Sequence, residues 1–267
     1  MNLSFLANAS YVKNEIKNLG NQTGYIDKES LPTLGTVSRN QNGYPIGYFF
    51  GYKAIGVFQT QEEIDNYISP ATGKPIQPNA APGDTKFEDL NGDGVISDDN
   101  EDRTMIGKPN PDWIVGLTVA ADWNGFDLSA FFQGSFGADV FDALRRYELA
   151  AVNYTSDALE RWTGPGTSNS MPRIVLGDTP KNFRPSTLLV HDASFLRLRN
   201  LQVGYTLPAQ LTRKAYIQRL RFYASFDNLL TITGYKGMDP EIGSTMGIDK
   251  GVYPQARVYT FGLNLTF

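Results

Sequence analysis

Cysteine is absent from the 267 residues, and histidine occurs once, as His191. The first absence excludes disulfides, thiolate metal sites and cysteine nucleophiles. The second leaves any Ser–His–Asp arrangement with only His191, which stands beside Asp192 just before a strand, with no nucleophile identifiable. Long apolar runs are missing too. Nothing approaches the roughly 18 uninterrupted apolar residues of a membrane helix, and mean hydropathy is −0.31. Net charge is only −4 and aromatics reach 12%, which speaks against disorder. Mild acidity gives no footprint for nucleic acid. No glycine-rich phosphate loop, G-x-S-x-G or H-E-x-x-H occurs, so no enzyme is expected. The opening Met-Asn-Leu-Ser-Phe has neither a basic n-region nor a cleavable apolar segment. Taken literally, these absences describe a soluble cytoplasmic chain.

What is present points elsewhere. Two-residue alternation, the mark of strands, dominates. Tyr259, Phe261, Leu263, Leu265 and Phe267 share one face, against Val258, Thr260, Gly262, Asn264 and Thr266. The same period runs through 3–11, 112–123, 126–137 and 219–229. In 195–207 the apolar phase shifts from Leu196 and Leu198 to Leu201, Val203 and Tyr205, which predicts a β-bulge near Asn200. The aromatic run 47–58 lacks clean alternation and reads as a strand by composition. That gives about seven strands. Minor helix signals occupy 62–68, parts of 139–151 and Ser156–Trp162, with Ser156 as N-cap. Asn124-Gly125 is a two-residue hairpin turn, whereas 59–111 and 138–194 are far longer than ordinary connections.

A soluble sandwich and a membrane barrel share this alternation and differ in which face is outside. Strand length favours the barrel, because these strands approach ten residues or more and ordinary strands have about five or six. Trp113 and Trp123 share a face, roughly 33 Å apart along the strand. At a tilt near 45° that is roughly 23 Å in height, close to the apolar band between aromatic girdles. The remaining connections are then short turns on one side and long loops on the other, with 20–46 an awkwardly long segment on the short side. The alternative is a soluble calcium-stabilised β-sandwich that binds carbohydrate, its two tryptophans buried in the core.

One loop carries metal-type chemistry. Asp89, Asn91 and Asp93, followed by Gly94, Val95 and Ile96, fit the front half of an EF-hand calcium loop, with the Val95 carbonyl as a further donor. Position 12 is Asn100, so Asp98, Asp99, Glu101 or Asp102 would have to supply the missing carboxylate. The competing reading is a metal-free turn. Tyr48, Phe49, Phe50, Tyr52 and Phe58 either line a sugar path or pack against lipid or a plug. Arg197 and Arg199 share a face and Arg221 falls on the polar face of its neighbour; they either form a structural ion network with Asp227 or plug acids, or contact an anionic substrate.

An ordered set of stretches carries a family resemblance. It comprises Pro45-Ile-Gly-Tyr-Phe-Phe-Gly-Tyr-Lys-Ala-Ile-Gly-Val-Phe-Gln59 with Glu62-Glu63-Ile64, Gly83 to Ile96, Asp102 to Gly107, and Pro109-Asn-Pro-Asp112. Arg161-Trp-Thr-Gly-Pro-Gly166, Ala193 to Asn200 and Asp227-Asn-Leu229 complete it. Across essentially the whole chain it resembles the C-terminal part of SusC/RagA-type TonB-dependent outer-membrane transporters. The resemblance implies an all-β, antiparallel segment of a 22-stranded transmembrane barrel, with 59–111 and 138–194 as extracellular loops. It implies import of glycan or peptide across the outer membrane, a SusD-like surface lipoprotein as partner, and coupling to the TonB complex. Plug, TonB box and signal peptide are not seen in this chain, whose final strand ends on an aromatic residue, as the barrel-assembly signal does.

Overall fold

The computed structural model describes residues 1–98, 100–149, 153–242 and 246–267. In chain order its strands are β1 (Asn2–Tyr11), β2 (Tyr25–Leu31), β3 (Gly35–Gln41), β4 (Tyr48–Gly51), β5 (Ala54–Val57), β6 (Thr85–Phe87), β7 (Thr104–Gly107) and β8 (Trp113–Trp123). They continue with β9 (Phe126–Phe136), β10 (Asp139–Asp142), β11 (Val190–Asp192), β12 (Phe195–Thr206), β13 (Arg219–Thr233), β14 (Ile248–Asp249) and β15 (Val258–Thr266). The helices α1 (Gln61–Asp65) and α2 (Ala209–Thr212) are short. No described helix is long and apolar enough to cross a membrane, which says nothing of strands.

Six strands form one antiparallel sheet in the order β1-β8-β9-β12-β13-β15. Register makes its two faces chemically distinct. Phe5, Val119 and Ala130 lie across β1, β8 and β9, and Val203, Ala224 and Phe261 across β12, β13 and β15, all on one face. Ser129, Gln202, Ser225 and Thr260 line the other. The apolar face is open rather than packed: Phe5, Trp123, Phe222, Phe261 and Leu263 are all exposed. A sandwich would bury this face under a second sheet, so the β-sandwich alternative does not describe the fold.

Aromatics frame the apolar face at both ends. Tyr11, Trp113 and Phe136 are aligned across β1, β8 and β9 at one end. Trp123, Phe126, Tyr205 and Phe222 are aligned across four strands at the other. Tyr11 and Trp113 are in ring contact at 4.9 Å, and Phe126 and Tyr205 at 4.5 Å.

The turn and the bulge fall where the sequence places them. Asn124 and Gly125 both have positive φ, as a type I′ hairpin requires. A Cβ at position 125 would also come within 2.8 Å of the Thr206 carbonyl. The register of β12 shifts between Leu198 and Asn200, leaving Arg199 as the inserted residue.

The run 47–58 corrects the count of about seven. It forms β4 and β5, which belong to small separate sheets, and β1 pairs directly with β8. Tyr48, Phe49, Phe50, Tyr52 and Phe58 are all buried, so they neither face lipid nor line an open path. A segment buried on both faces has no reason to alternate. The whole of 12–112 is therefore one excursion, and 20–46 leaves the sheet at the same end as 59–111.

That excursion, 137–194 and 234–257 all leave from one end and pack together. Leu31, Val37 and Phe49 from the first, Phe141 and Leu189 from the second, and Ile248 from the third share one buried cluster. Arginines interleave with aromatics beside it: Arg39 lies over Tyr25 and Phe50, Arg103 over Phe50 and Tyr52, and Arg184 over Tyr52 and Phe87.

Helix readings fare unevenly. The 62–68 signal corresponds to α1, where the Thr60 side chain accepts from the Glu63 amide. Within 139–151, residues 139–142 are strand β10, paired with β11 and β14, and 150–151 lie outside the described residues. Ser156–Glu160 is a 3₁₀ turn whose cap position is Thr155, one residue before the expected Ser156, with no side-chain cap bond.

The two faces make opposite demands on a charge. In the full-length protein, Leu117→Arg on the apolar face should cost about 2–4 kcal/mol, and Thr118→Arg on the polar face far less. Urea unfolding in bilayers checks this, and equal costs would remove the distinction.

Candidate functional site

The polar face holds its charges in pairs and clusters. Near the hairpin end, Arg221 donates to both Asp127 carboxylate oxygens, at 2.9 and 2.5 Å. Gly204 stands opposite Asp127, and a Cβ there would come within 2.5 Å of both partners. The sequence offers Asp227 as one partner for Arg197, Arg199 and Arg221. Instead Asp227 accepts from Asn200 Nδ2 at 2.7 Å.

Near the loop-bearing end the bulge matters most. Strict alternation would set residue 200 on the opposite face from 199. The inserted residue brings Arg197, Arg199 and Asn200 onto the polar face together. Arg197, 2% exposed, donates to Asp239 Oδ1 at 2.5 Å and to Glu241 Oε2 at 3.0 Å. Arg199 donates to both Glu241 oxygens at 2.6 Å and to Gln133 Oε1 at 2.7 Å. Asp239 also accepts from the Glu241 and Gln255 amides. Burial would raise its carboxyl, but those amides and Arg197 outweigh burial and hold it below the usual carboxylate range. The cluster thus pins 239–241 across the inner surface of β12. Sequence reasoning found both arginines and missed Asp239 and Glu241, which lie some forty residues along the chain with no local pattern to mark them.

Outside the sheet, Asp142, Arg145, Asp157, His191 and Lys236 ring a cavity of about 860 Å³. Arg145 pairs with Asp142 at 3.2 Å and with Asp157. His191 sits on β11, its Nε2 3.8 Å from Asp142 Oδ2. Burial first, then the Arg145 charge, hold its pKa below the ordinary value. It stands at a strand mouth, where burial disfavours its charged form.

The 89–102 loop uses its acids on its own backbone. Asp89 accepts from the Gly92 and Gly94 amides, both at 2.8 Å. Asn91 donates to Asp93 and Glu101, while its Oδ1 accepts from the Asp93 amide. Asp93 accepts from the Val95 amide at 2.8 Å. Asp102 is fully buried and clamps the loop base through the Leu90 and Ser97 amides. Asp98 pairs with Lys181, and Asp99 lies outside the described residues. Among the described residues no three His, Asp or Glu side chains gather as a metal site would need.

The geometry has known counterparts. No family model matches the chain. A TonB-dependent receptor from Formosa agariphila is 34% identical over 238 residues, covering 85% of this chain and 23% of that receptor. TonB-dependent receptor SusC from Bacteroides thetaiotaomicron is 30% identical over 263 residues, covering 97% of this chain and 24% of SusC. Among solved structures, the RagAB peptide transporter superposes with a TM-score of 0.73 at 27% identity, over 99% of this chain and 27% of that one. The chain belongs to the SusC/RagA-type TonB-dependent receptors. It spans about a quarter of the length of the relatives it matches. These relatives are receptors and transporters by name, and the fold of this segment is antiparallel barrel wall carrying a packed layer of loops.

Melts of the full-length receptor that coincide in calcium and in EDTA would mark the loop as a metal-free turn held by the amides that engage Asp89, Asp93 and Asp102. A Tm rise with calcium that Asp89→Asn abolishes would instead make Asp89, Asn91, Asp93 and the Val95 carbonyl its ligands.

Proposed function

We propose that this chain is part of the wall and outer mouth of an outer-membrane importer that carries glycans or peptides. The observation that carries the reading is the single six-stranded sheet, apolar and open on one face between two aromatic rows, polar and ion-paired on the other. Water is absent from hydrocarbon, so a spanning strand must satisfy every amide within a ladder, and an antiparallel sheet does so. The apolar face then meets lipid and the polar face lines the lumen. The edge strands β1 and β15 would pair with further wall.

On this reading the three long excursions stand on the extracellular side. Their common core makes them a rigid rim on which a SusD-like lipoprotein could seat. RagAB is a peptide transporter and SusC is a TonB-dependent receptor, which supports import driven through the TonB complex. The polar face holds paired ions and no nucleophile–base arrangement, in keeping with passage rather than chemistry.

Affinity-tagged full-length protein, expressed in a Bacteroidetes host, should be recovered from the outer-membrane fraction only with detergent, together with a surface lipoprotein. A folded monomer in the detergent-free soluble fraction would contradict the reading.

A further inference from the structure

The Arg197–Arg199 cluster is built like a ligand site whose ligand is the chain itself. Two guanidiniums project from one stretch of wall because residues two apart in a strand share a face, and the bulge at Arg199 adds Asn200 to that face. Two carboxylates answer them, and the two are held differently. Asp239 is 9% exposed, accepts two backbone amides and takes Arg197 at 2.5 Å. It is part of the scaffold. The Glu241 side chain is 35% exposed, and the hydrogen bonds its carboxylate accepts come from the two arginines. Both of its oxygens lie 2.6 Å from the single Arg199 Nη2 and Oε2 also accepts from Arg197 Nη1 at 3.0 Å, so one carboxylate bridges the two guanidiniums through charge-assisted bonds.

The charges count the same way. Two arginines against Asp239 and Glu241 are neutral. Withdrawing Glu241 leaves Arg197 still paired with Asp239, and leaves Arg199, among the described residues, with the neutral oxygens of Gln133 and Asn228. A positive hole then opens on the polar face, positioned by Gln133 and the bulge and able to accept one carboxylate.

We propose that Arg197 and Arg199 form a carboxylate-binding site on the inner wall, filled in this structure by Glu241 as an internal ligand, and that cargo bearing carboxylates displaces it. The inference rests on the transport reading, since it places cargo against the polar face. Displacement is mass action between two carboxylates for one arginine pair, so it needs no energy input beyond differential affinity. It also links cargo to the 234–257 loop, because the displaced Glu241 side chain belongs to that segment, which Asp239 keeps on the wall.

Two sources of carboxylate are chemically open, a uronate glycan and a peptide C-terminus. The test uses full-length receptor purified in detergent and isothermal titration with four probes: trigalacturonate, maltotriose, a hexapeptide with a free C-terminus, and the same hexapeptide amidated. Glu241→Gln keeps the side-chain shape and removes the competing charge. It should tighten trigalacturonate or the free-acid peptide about tenfold, the scale of one charge-assisted hydrogen bond, and leave maltotriose and the amide unchanged. Which acid gains tells the source. Adding Arg199→Gln should abolish the gain. Should Glu241→Gln fail to reach the outer membrane, Glu241→Asp, too short to span both arginines, is read by the same titration. A receptor in place with no gain for either acid overturns the site and makes the cluster a loop anchor only. A wild-type protein absent from the outer membrane overturns the transport reading instead.

Discussion

Everything in this fold follows from one antiparallel ladder that satisfies its own backbone and leaves its two faces free to differ. Along each long strand, odd and even residues enter different environments. Register then aligns like with like across six strands, so a local alternation becomes a continuous apolar surface. A one-residue slip anywhere would place Arg221 or Asp127 on that surface. The bulge at Arg199 shows the constraint at work. The phase of the side chains changes with the inserted residue, so that Leu196 and Leu198 stay on the same face as Leu201 and Val203.

The layer beyond the sheet obeys a different rule. Its strands are short, β4 is buried on both sides, and the layer packs on a core assembled by three separate excursions. No excursion supplies that core alone. Together they bury Phe49, Phe141, Leu189 and Ile248 and thread arginines between aromatic rings. A rim of this kind keeps its shape, which an entrance and a docking surface both need. The Arg197–Glu241 cluster joins the two systems, tying a loop of the rim to the wall.

Legibility in the sequence divides along the same line. The wall strands, the Asn124-Gly125 turn and the bulge near Asn200 were readable, because period-two alternation and its phase shift are local signals. The run 47–58 was misplaced because a doubly buried strand has composition without alternation, and composition does not say which sheet it joins. Among the site residues, Arg197 and Arg199 stood out by sharing a face. Asp239 and Glu241 did not, because pairing across forty residues leaves no spacing to read. The Asp89–Asp93 motif is legible as an acidic, glycine-bearing turn, and the amides that its carboxylates accept are not, because residue types do not fix side-chain direction.

The central claim is that the apolar face meets lipid and the polar face meets water. Because the chain has no cysteine, single cysteines placed at Phe222 and Gln202 in a full-length receptor made otherwise cysteine-free test it directly. With a fluorophore at each position and nitroxide-bearing lipids in the bilayer, the label at 222 should be strongly quenched and insensitive to aqueous iodide. The label at 202 should respond to iodide and hardly to the lipid quencher. The reverse pattern, or equal quenching at both positions, would contradict the account.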